Sequence, residues 1–467
     1  MLQQRSARRR VSTFVLALVL VAGQAASAAA AGMGQSAPAG GSASAAKVDR
    51  DLLAALAAGT TDRFVVQFGA RTDLSGAAKI KDRTKKGAFV LDSLRRTAAK
   101  SQAGARALVA KTKGARADSF WLSNVMIVHG DAALAKKLGA VAGVTAIRPE
   151  KVYPLVKPVP TSVIIEALDP EWGAAKIRAP EVWADGITGQ GIVVANIDTG
   201  VQYDHEALVA QYRGNNLDGS FTHDFNWWDP TGICGNTPCD NAGHGTHTMG
   251  TIVGGDLDGP LPDIGVAPGA RWIAAKGCED FGCSEGALLS SGQFVLAPTN
   301  LNGENANPAL RPDVVSNSWG SDDPNDTFYL ATVQAWRAAG IIPVFAAGNE
   351  GPSCSSGGTP GNLTEVISVG ATDDADQIAE FSSRGPSPTD KLSPNVSAPG
   401  VDVLSSVPGN GYDAFSGTSM ATPHTAGTIA LMMSAKPVLA GNFDAVLDAL
   451  GKTAIDRPDD QCGTPDP

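Results

Sequence analysis

Between Ile192 and Val369, short apolar runs alternate with stretches of helical spacing and Gly-rich turns. The runs fall at 193–197, 272–275, 314–316, 342–345 and 366–369. Near-continuous apolar strands separated by helices predict an α/β fold, a parallel sheet covered by helices on both faces. In such sheets reactive side chains collect just past the carboxyl ends of the strands. The rhythm upstream is different. Residues 64–68 read as a strand, a stretch rich in Lys, Arg, Ala and Leu from Ala77 reads as helix, and 119–129, 132–139 and 144–147 read as strand, short helix and strand. That order predicts a small α+β unit, and it contains no cluster of reactive side chains.

The start of the chain has a third character. Arg5, Arg8, Arg9 and Arg10 precede an apolar run from Val11 to Val21 and then Ala26-Ser27-Ala28, the pattern of a secretory signal peptide over residues 1–28. The run is interrupted by Ser12 and Thr13 and ends near Gly23, short of the roughly 20 residues a membrane span needs. No later segment is long and apolar enough to span a bilayer, so a secreted, extracellular protein is expected. Residues 32–46 are almost entirely Gly, Ser and Ala, and the whole of 29–59 is expected to be a flexible leader.

Charge sharpens the division. Residues 32–157 carry 21 Lys and Arg against 9 Asp and Glu, a balance of +12, whereas residues 158–467 carry 12 against 38, a balance of −26. The basic residues are spread along a helical pattern with few aromatics between them, which argues against nucleic acid as a partner. Attraction between the two halves of one chain is the simpler account. All six cysteines lie in the acidic half. An even count behind a signal peptide argues for disulfides. Local pairs Cys234 with Cys239 and Cys278 with Cys283, leaving Cys354 for Cys462, are favoured among the 15 connectivities that six cysteines allow. A zinc site is the competing reading, since Cys-x4-Cys occurs twice, but its spacing is wider than usual.

Three positions carry the chemistry. Asp198 ends an apolar strand and precedes Thr199-Gly200; alone it reads equally well as a turn residue. His244 lies in Gly243-His244-Gly245-Thr246-His247, where small residues bring the backbone close to the ring ahead of a helix. A metal pair with His247 lacks further ligands at set positions. Ser419 lies in Ser416-Gly417-Thr418-Ser419-Met420-Ala421-Thr422-Pro423-His424, with a helix predicted from Pro423; its bland reading is a helix cap. A hydroxyl at a helix N-terminus would have a developing oxyanion stabilised by backbone N–H groups. His247 and His424 read as packing residues.

Taken together, in the order Asp, His, Ser, these motifs resemble the subtilisin family of serine proteases. The resemblance covers about residues 60–455 and implies a secreted serine endopeptidase with Asp198, His244 and Ser419 as its triad. Ala346-Ala347-Gly348-Asn349 is similar to the family segment whose Asn supplies the oxyanion-hole amide, which implies that role for Asn349. Ser318-Trp319-Gly320 and Ala346-Ala347-Gly348 are implied as the backbone walls of the substrate pocket. Trp319, with the insertion at 297–303, points toward the bacillopeptidase F branch. By pattern and position, residues 60–157 resemble the family's propeptide, a ferredoxin-like α+β domain that acts as intramolecular inhibitor, and 158–467 the catalytic domain.

The family pattern also implies a monomer acting on protein or peptide substrates, with no cofactor required for the chemistry. Structural calcium is compatible with Asp256, Asp258 and Asp263, although no ligands are assigned, because a hard cation needs six to eight oxygens. Family domains continue past a helix at about 442–453 into a Gly-x-Gly segment, so the catalytic domain reads as truncated at its C-terminal end. An esterase elbow at Gly417-Thr418-Ser419 fails, because Ala421 stands where Gly is wanted and the acid and base do not follow in order. A catalytically inactive, binding-only relative is the alternative from another class.

Overall fold

Asp49 accepts a hydrogen bond from the Leu52 amide at 2.8 Å and so caps helix α1 (Arg50–Ala58), whose Leu52 and Leu56 are buried and which ends at Gly59 in the left-handed region. This corrects the flexible-leader expectation over its last dozen residues: a capped start and two leucines one turn apart outweigh the alanine-rich composition around them. The computed structural model describes residues 47–155, 159–160, 170–257, 259–387, 393–457 and 461–462. The expected signal peptide and the rest of the leader lie outside them.

The upstream unit continues through β1 (Arg63–Phe68), α2 (Arg83–Ser101), α3 (Ala103–Ala110), β2 (Arg116–Phe120), β3 (Val125–His129), α4 (Ala132–Gly139) and β4 (Val144–Arg148). Its antiparallel sheet has the order β2-β3-β1-β4, the ferredoxin-like arrangement. The stretch read as one strand over 119–129 is in fact a hairpin, with Asn124 at φ 52° turning the chain. Successive residues on a strand face opposite sides. Phe64, Val66, Met126 and Val128 accordingly pack with Leu52, Val109, Leu134 and Leu138, while Val65, Val125 and Ile127 join a core built largely from downstream residues. Both faces of β1 and β3 at its centre are therefore packed.

Downstream, β5 (Val152–Tyr153) leads to β6 (Val159–Pro160), α5 (Trp172–Lys176), α6 (Ala179–Ala184), β7 (Val193–Asp198), β8 (Trp227–Trp228), α7 (His244–Val253), β9 (Arg271–Lys276), β10 (Cys283–Ser284) and α8 (Glu285–Leu296). There follow β11 (Val314–Asn317), α9 (Leu330–Ala339), β12 (Ile342–Ala346), β13 (Ile367–Thr372), β14 (Val396–Pro399), β15 (Val403–Val407), β16 (Gly411–Ser416), α10 (Thr418–Ala435) and α11 (Phe443–Thr453). Seven strands form one parallel sheet in the order β14-β13-β12-β11-β7-β9-β8. Met249, Ile252, Ile429 and Ala430 of α7 and α10 pack on one face; Leu288, Leu289, Val333 and Trp336 of α8 and α9 pack on the other. The chain runs to one side of β7 through β9 and to the other through β11. Such a reversal opens a crevice at the carboxyl ends of the strands.

The two halves meet through ion pairs whose cations are all upstream and whose acids are all downstream. Arg83 meets Asp313 at 3.0 Å, Arg148 meets Glu285 at 2.6 Å and Lys151 meets Asp326 at 2.6 Å. The cysteines form Cys234–Cys239, Cys278–Cys283 and Cys354–Cys462, the favoured connectivity, and the zinc reading falls with it. Among the described residues no helix is long and apolar enough to cross a membrane.

Candidate active site

Asp198 is the last residue of β7, and only 1% of it is exposed. Its Oδ1 accepts from His244 Nδ1 at 2.7 Å and from the Thr199 amide at 2.7 Å, and its Oδ2 accepts from Thr248 Oγ1 at 3.2 Å. Two glycines permit this approach. A Cβ on Gly245 would stand 2.1 Å from the Gly200 carbonyl oxygen, and one on Gly200, whose φ is +107°, would stand 2.0 Å from that of Cys239. Burial alone would lower the His244 pKa; the Asp198 carboxylate outweighs it and holds the ring above its ordinary value. His244 Nε2 has no hydrogen-bond partner among the described residues, so the ring's second nitrogen is not committed to the fold.

Several supporting residues escaped the sequence reading. Asp240 accepts from Thr199 Oγ1, from the Gly243 amide and, through Oδ2, from the amide and hydroxyl of Thr246, thereby satisfying N–H groups in and before the first turn of α7. Its signal was an acid a few residues ahead of a Gly-rich helix start, which reads equally well as a loop residue. Asn196 donates to the Gly245 carbonyl and to Thr248 Oγ1. Lys276 is fully buried and donates to the carbonyls of Thr199 and Cys278 and to Asn241 Oδ1, with Glu279 Oε1 at 3.2 Å. It ties the Asp198 turn to the disulfide loop that carries β10.

Ser419 lies in the first turn of α10, which begins at Thr418 rather than at Pro423 as expected. Proline usually marks a helix start because it has no N–H to give. Here Pro423 is interior, and the carbonyl it leaves without a helical donor, that of Ser419, accepts from Ser318 Oγ at 3.1 Å. The Ser318 hydroxyl is thus spent on holding the serine turn. Asn349 Oδ1 accepts from the amide and hydroxyl of Thr418 at 3.0 and 2.9 Å, which fixes the orientation of its amide. A Cβ on Gly417 would lie 3.2 Å from Asn349 Nδ2, so this approach also relies on glycine.

Beside them is a cavity of about 330 Å³ lined by Gly320, Ala346, Ala347, Gly348 and Asn349, with Pro154 and Leu155 of the upstream segment along it. Trp319 does not present its ring there. The ring is fully buried, edge-on to Tyr329 and Phe345, and only the backbone of this residue faces the groove. Residues 151–155 run extended along the groove: β5 pairs antiparallel with β10, Leu155 bridges antiparallel to Trp319, and the Gly320 amide points to the Pro154 carbonyl at 3.5 Å. β6 pairs with Phe415 and Ser416, just ahead of Ser419.

The other histidines near this crevice pack. His247 donates from Nε2 to the carbonyls of Val403 and Asp413, stacks on Phe415 at 4.3 Å, and is held neutral by burial and the neighbouring His244, its pKa pushed down to about 3. His424 donates from Nδ1 to the Met420 carbonyl. Asp256 and Asp263 turn toward the amides of Leu261 and Leu257, and Asp258 lies outside the described residues. Among the described residues no group of three or more His, Cys, Asp or Glu could hold a metal ion.

The subtilase family model matches residues 189–463. Bacillopeptidase F of Bacillus subtilis (strain 168) is 39% identical over 396 residues, covering 80% of this chain and 27% of that protein, so the chain spans about a quarter of its length. The subtilisin of Bacillus pumilus is 35% identical over 269 residues, 57% of this chain and 85% of that protein. Subtilisin E of Bacillus subtilis (strain 168) is 34% identical over 269 residues, 57% of this chain and 61% of that protein. With its parallel sheet, the helices on both faces and this crevice, the chain belongs to the subtilase family of serine-type endopeptidases.

Proposed function

We propose that this chain is the precursor of a secreted serine endopeptidase that hydrolyses peptide bonds through an acyl-enzyme. The observation that carries the reading is the buried 2.7 Å bond between Asp198 and His244 Nδ1, which leaves Nε2 open to a substrate-side partner. Ser419 Oγ attacks the scissile carbonyl, and His244 takes its proton at Nε2 and later gives it to the leaving amine. Asp198 fixes the tautomer and stabilises the imidazolium. The Asn349 amide and the Ser419 backbone N–H receive the oxyanion. Catalytic hydrogen bonds tighten when substrate is seated, so the serine and histidine need not be bonded beforehand. The chemistry requires no cofactor. A serine-directed fluorophosphonate probe tests this together with casein hydrolysis. Label on Ser419 and clearing of casein are expected; an unlabelled Ser419 in well-folded, processed protein would favour the binding-only reading.

The upstream residues 60–157 act as an inhibitory propeptide, released by a cut within 156–158, and the signal peptide 1–28 directs export of a monomeric enzyme. The ion pairs at Asp313, Glu285 and Asp326, each with an upstream cation, support this, as does the strand laid along the groove. Because the cations are partly exposed, salt will screen them. The inhibition constant of the cleaved segment is expected to rise about tenfold between 0.05 and 1 M NaCl, a loss of about 1.4 kcal/mol. A constant that stays level over that range would remove the electrostatic part of the account.

A further inference from the structure

Within the groove, Tyr153 is held by more than shape. Its ring is 2% exposed and stacks on Phe328 with centroids 3.9 Å apart and planes 11° from parallel. Its hydroxyl donates to Asp326 Oδ2 at 3.1 Å, and Lys151 Nζ donates to the same oxygen at 2.6 Å. Both residues point to the same side of the extended segment, as positions two apart on a strand must. Asp326 is built to receive them. Its Oδ1 accepts from the Phe328 amide at 2.9 Å, which locks the carboxylate and sets the stacking ring beside it, and its side chain is only 8% exposed. Burial raises the carboxyl pKa, but Lys151, the Phe328 amide and Tyr153 outweigh it and keep the group below the usual carboxylate range. Burial also pushes the Tyr153 hydroxyl far up, so it remains a donor. Once residues 151–155 leave the groove, Asp326 loses its two side-chain partners, and any polypeptide that covers it again is selected by what it offers Oδ2.

We propose that Asp326 is a specificity-determining residue, reading a tyrosine at the position of Tyr153 and a lysine two residues before it in peptide substrates. This rests on the reading of the groove as the substrate site. Phe328 takes the aromatic ring, Asp326 distinguishes tyrosine from phenylalanine by the hydroxyl, and the ammonium two residues earlier shares the same oxygen. The preferred substrate class is therefore polypeptide with a basic residue, any residue and a tyrosine upstream of the cut.

The test uses the processed enzyme and internally quenched peptides with the sequence of residues 150–163 of this chain, together with versions carrying phenylalanine for Tyr153 or glutamine for Lys151. A charged hydrogen bond to a buried acceptor corresponds to about tenfold, so kcat/KM should fall about tenfold with phenylalanine and several-fold with glutamine, mainly through KM. In Asp326→Asn, where the amide oxygen can still accept from Phe328, both ratios should fall to about one. Equal rates on the tyrosine and phenylalanine peptides with wild-type enzyme would overturn the proposal, as would discrimination that survives in Asp326→Asn. Should that variant fail to fold, the wild-type peptide series decides alone. A wild-type enzyme that cleaves neither these peptides nor casein fails at the level of the proposed function, whereas cleavage without discrimination fails only here.

Discussion

Ser419→Ala is expected to lower turnover of casein by about 10⁶ and to leave the chain uncut between residues 155 and 159. The magnitude follows from subtilisin, a relative, in which loss of the nucleophile costs about 2 × 10⁶ in kcat. The substitution removes only the hydroxyl. The carbonyl of residue 419 still accepts from Ser318 Oγ, and Thr418 still holds Asn349, so the start of α10 and the proposed oxyanion donors persist. The protein should fold as wild type does and stay as a stable precursor. Intact mass separates the outcomes: wild type loses the residues up to 156–158, and the variant retains them. A variant trimmed at the same place and rate as wild type, when purified away from other proteases, would mean that Ser419 does not perform the cut.

Asp198→Asn should lower kcat by at most about 10⁴, the loss that the same substitution causes in a triad where it also leaves the histidine in the wrong tautomer. The pocket accepts the amide without rearrangement. Its oxygen can replace Oδ1 toward His244 and Thr199, and its NH₂ would face Thr248 Oγ1, which can turn its proton to the Gly245 carbonyl 3.1 Å away. What is lost is the charge that stabilises imidazolium. In wild type the His244 pKa lies above the ordinary value of about 6.5, and the base must be neutral, so activity climbs as pH rises through that raised pKa. With Asp198 neutralised, burial dominates and the pKa drops below the ordinary value, moving the acid limb downward even as the plateau falls. The ring resonances of His244, followed by NMR in a Ser419→Ala background, should titrate at lower pH in the double variant; an unchanged titration would remove Asp198 from this role. The linkage to stability has two opposing parts. The raised His244 stabilises the fold fully below about 6.5 and loses that contribution as pH rises through its folded pKa, whereas His247, held near 3, costs stability as pH falls below about 6.5.

Five strands of the central sheet were legible because each is a near-continuous apolar run, the pattern of a strand buried on both faces. The two edge strands were not. Trp227–Trp228 is two residues long within an aromatic loop, and Val396–Pro399 carries a serine and ends in proline, so neither has a period to detect. The start of α10 was misjudged because Pro423 looks like a first helical position, and only the fold supplies Ser318 as the substitute donor. Likewise the motif around His244 was visible as a cluster of small residues, while the carboxylate that organises it, Asp240, works through five backbone and hydroxyl groups whose meeting depends on the folded turn. Trp319 reads in the sequence as a backbone wall of the pocket, and its ring turns into the core, because a residue just past a strand end gives one side to the groove and the other to the packing beneath.

Residues 151–155 lie extended in their slot, paired with β10 at Val152–Tyr153 and bridged to the Trp319 backbone at Leu155. A polypeptide can occupy it only by giving up its own secondary structure over several consecutive residues, since its backbone is paired with the slot walls instead. Natively folded proteins should therefore be cut at the frequency with which a segment detaches from its own fold, so that their lifetimes follow the free energy of local opening rather than the number of suitable side chains they display.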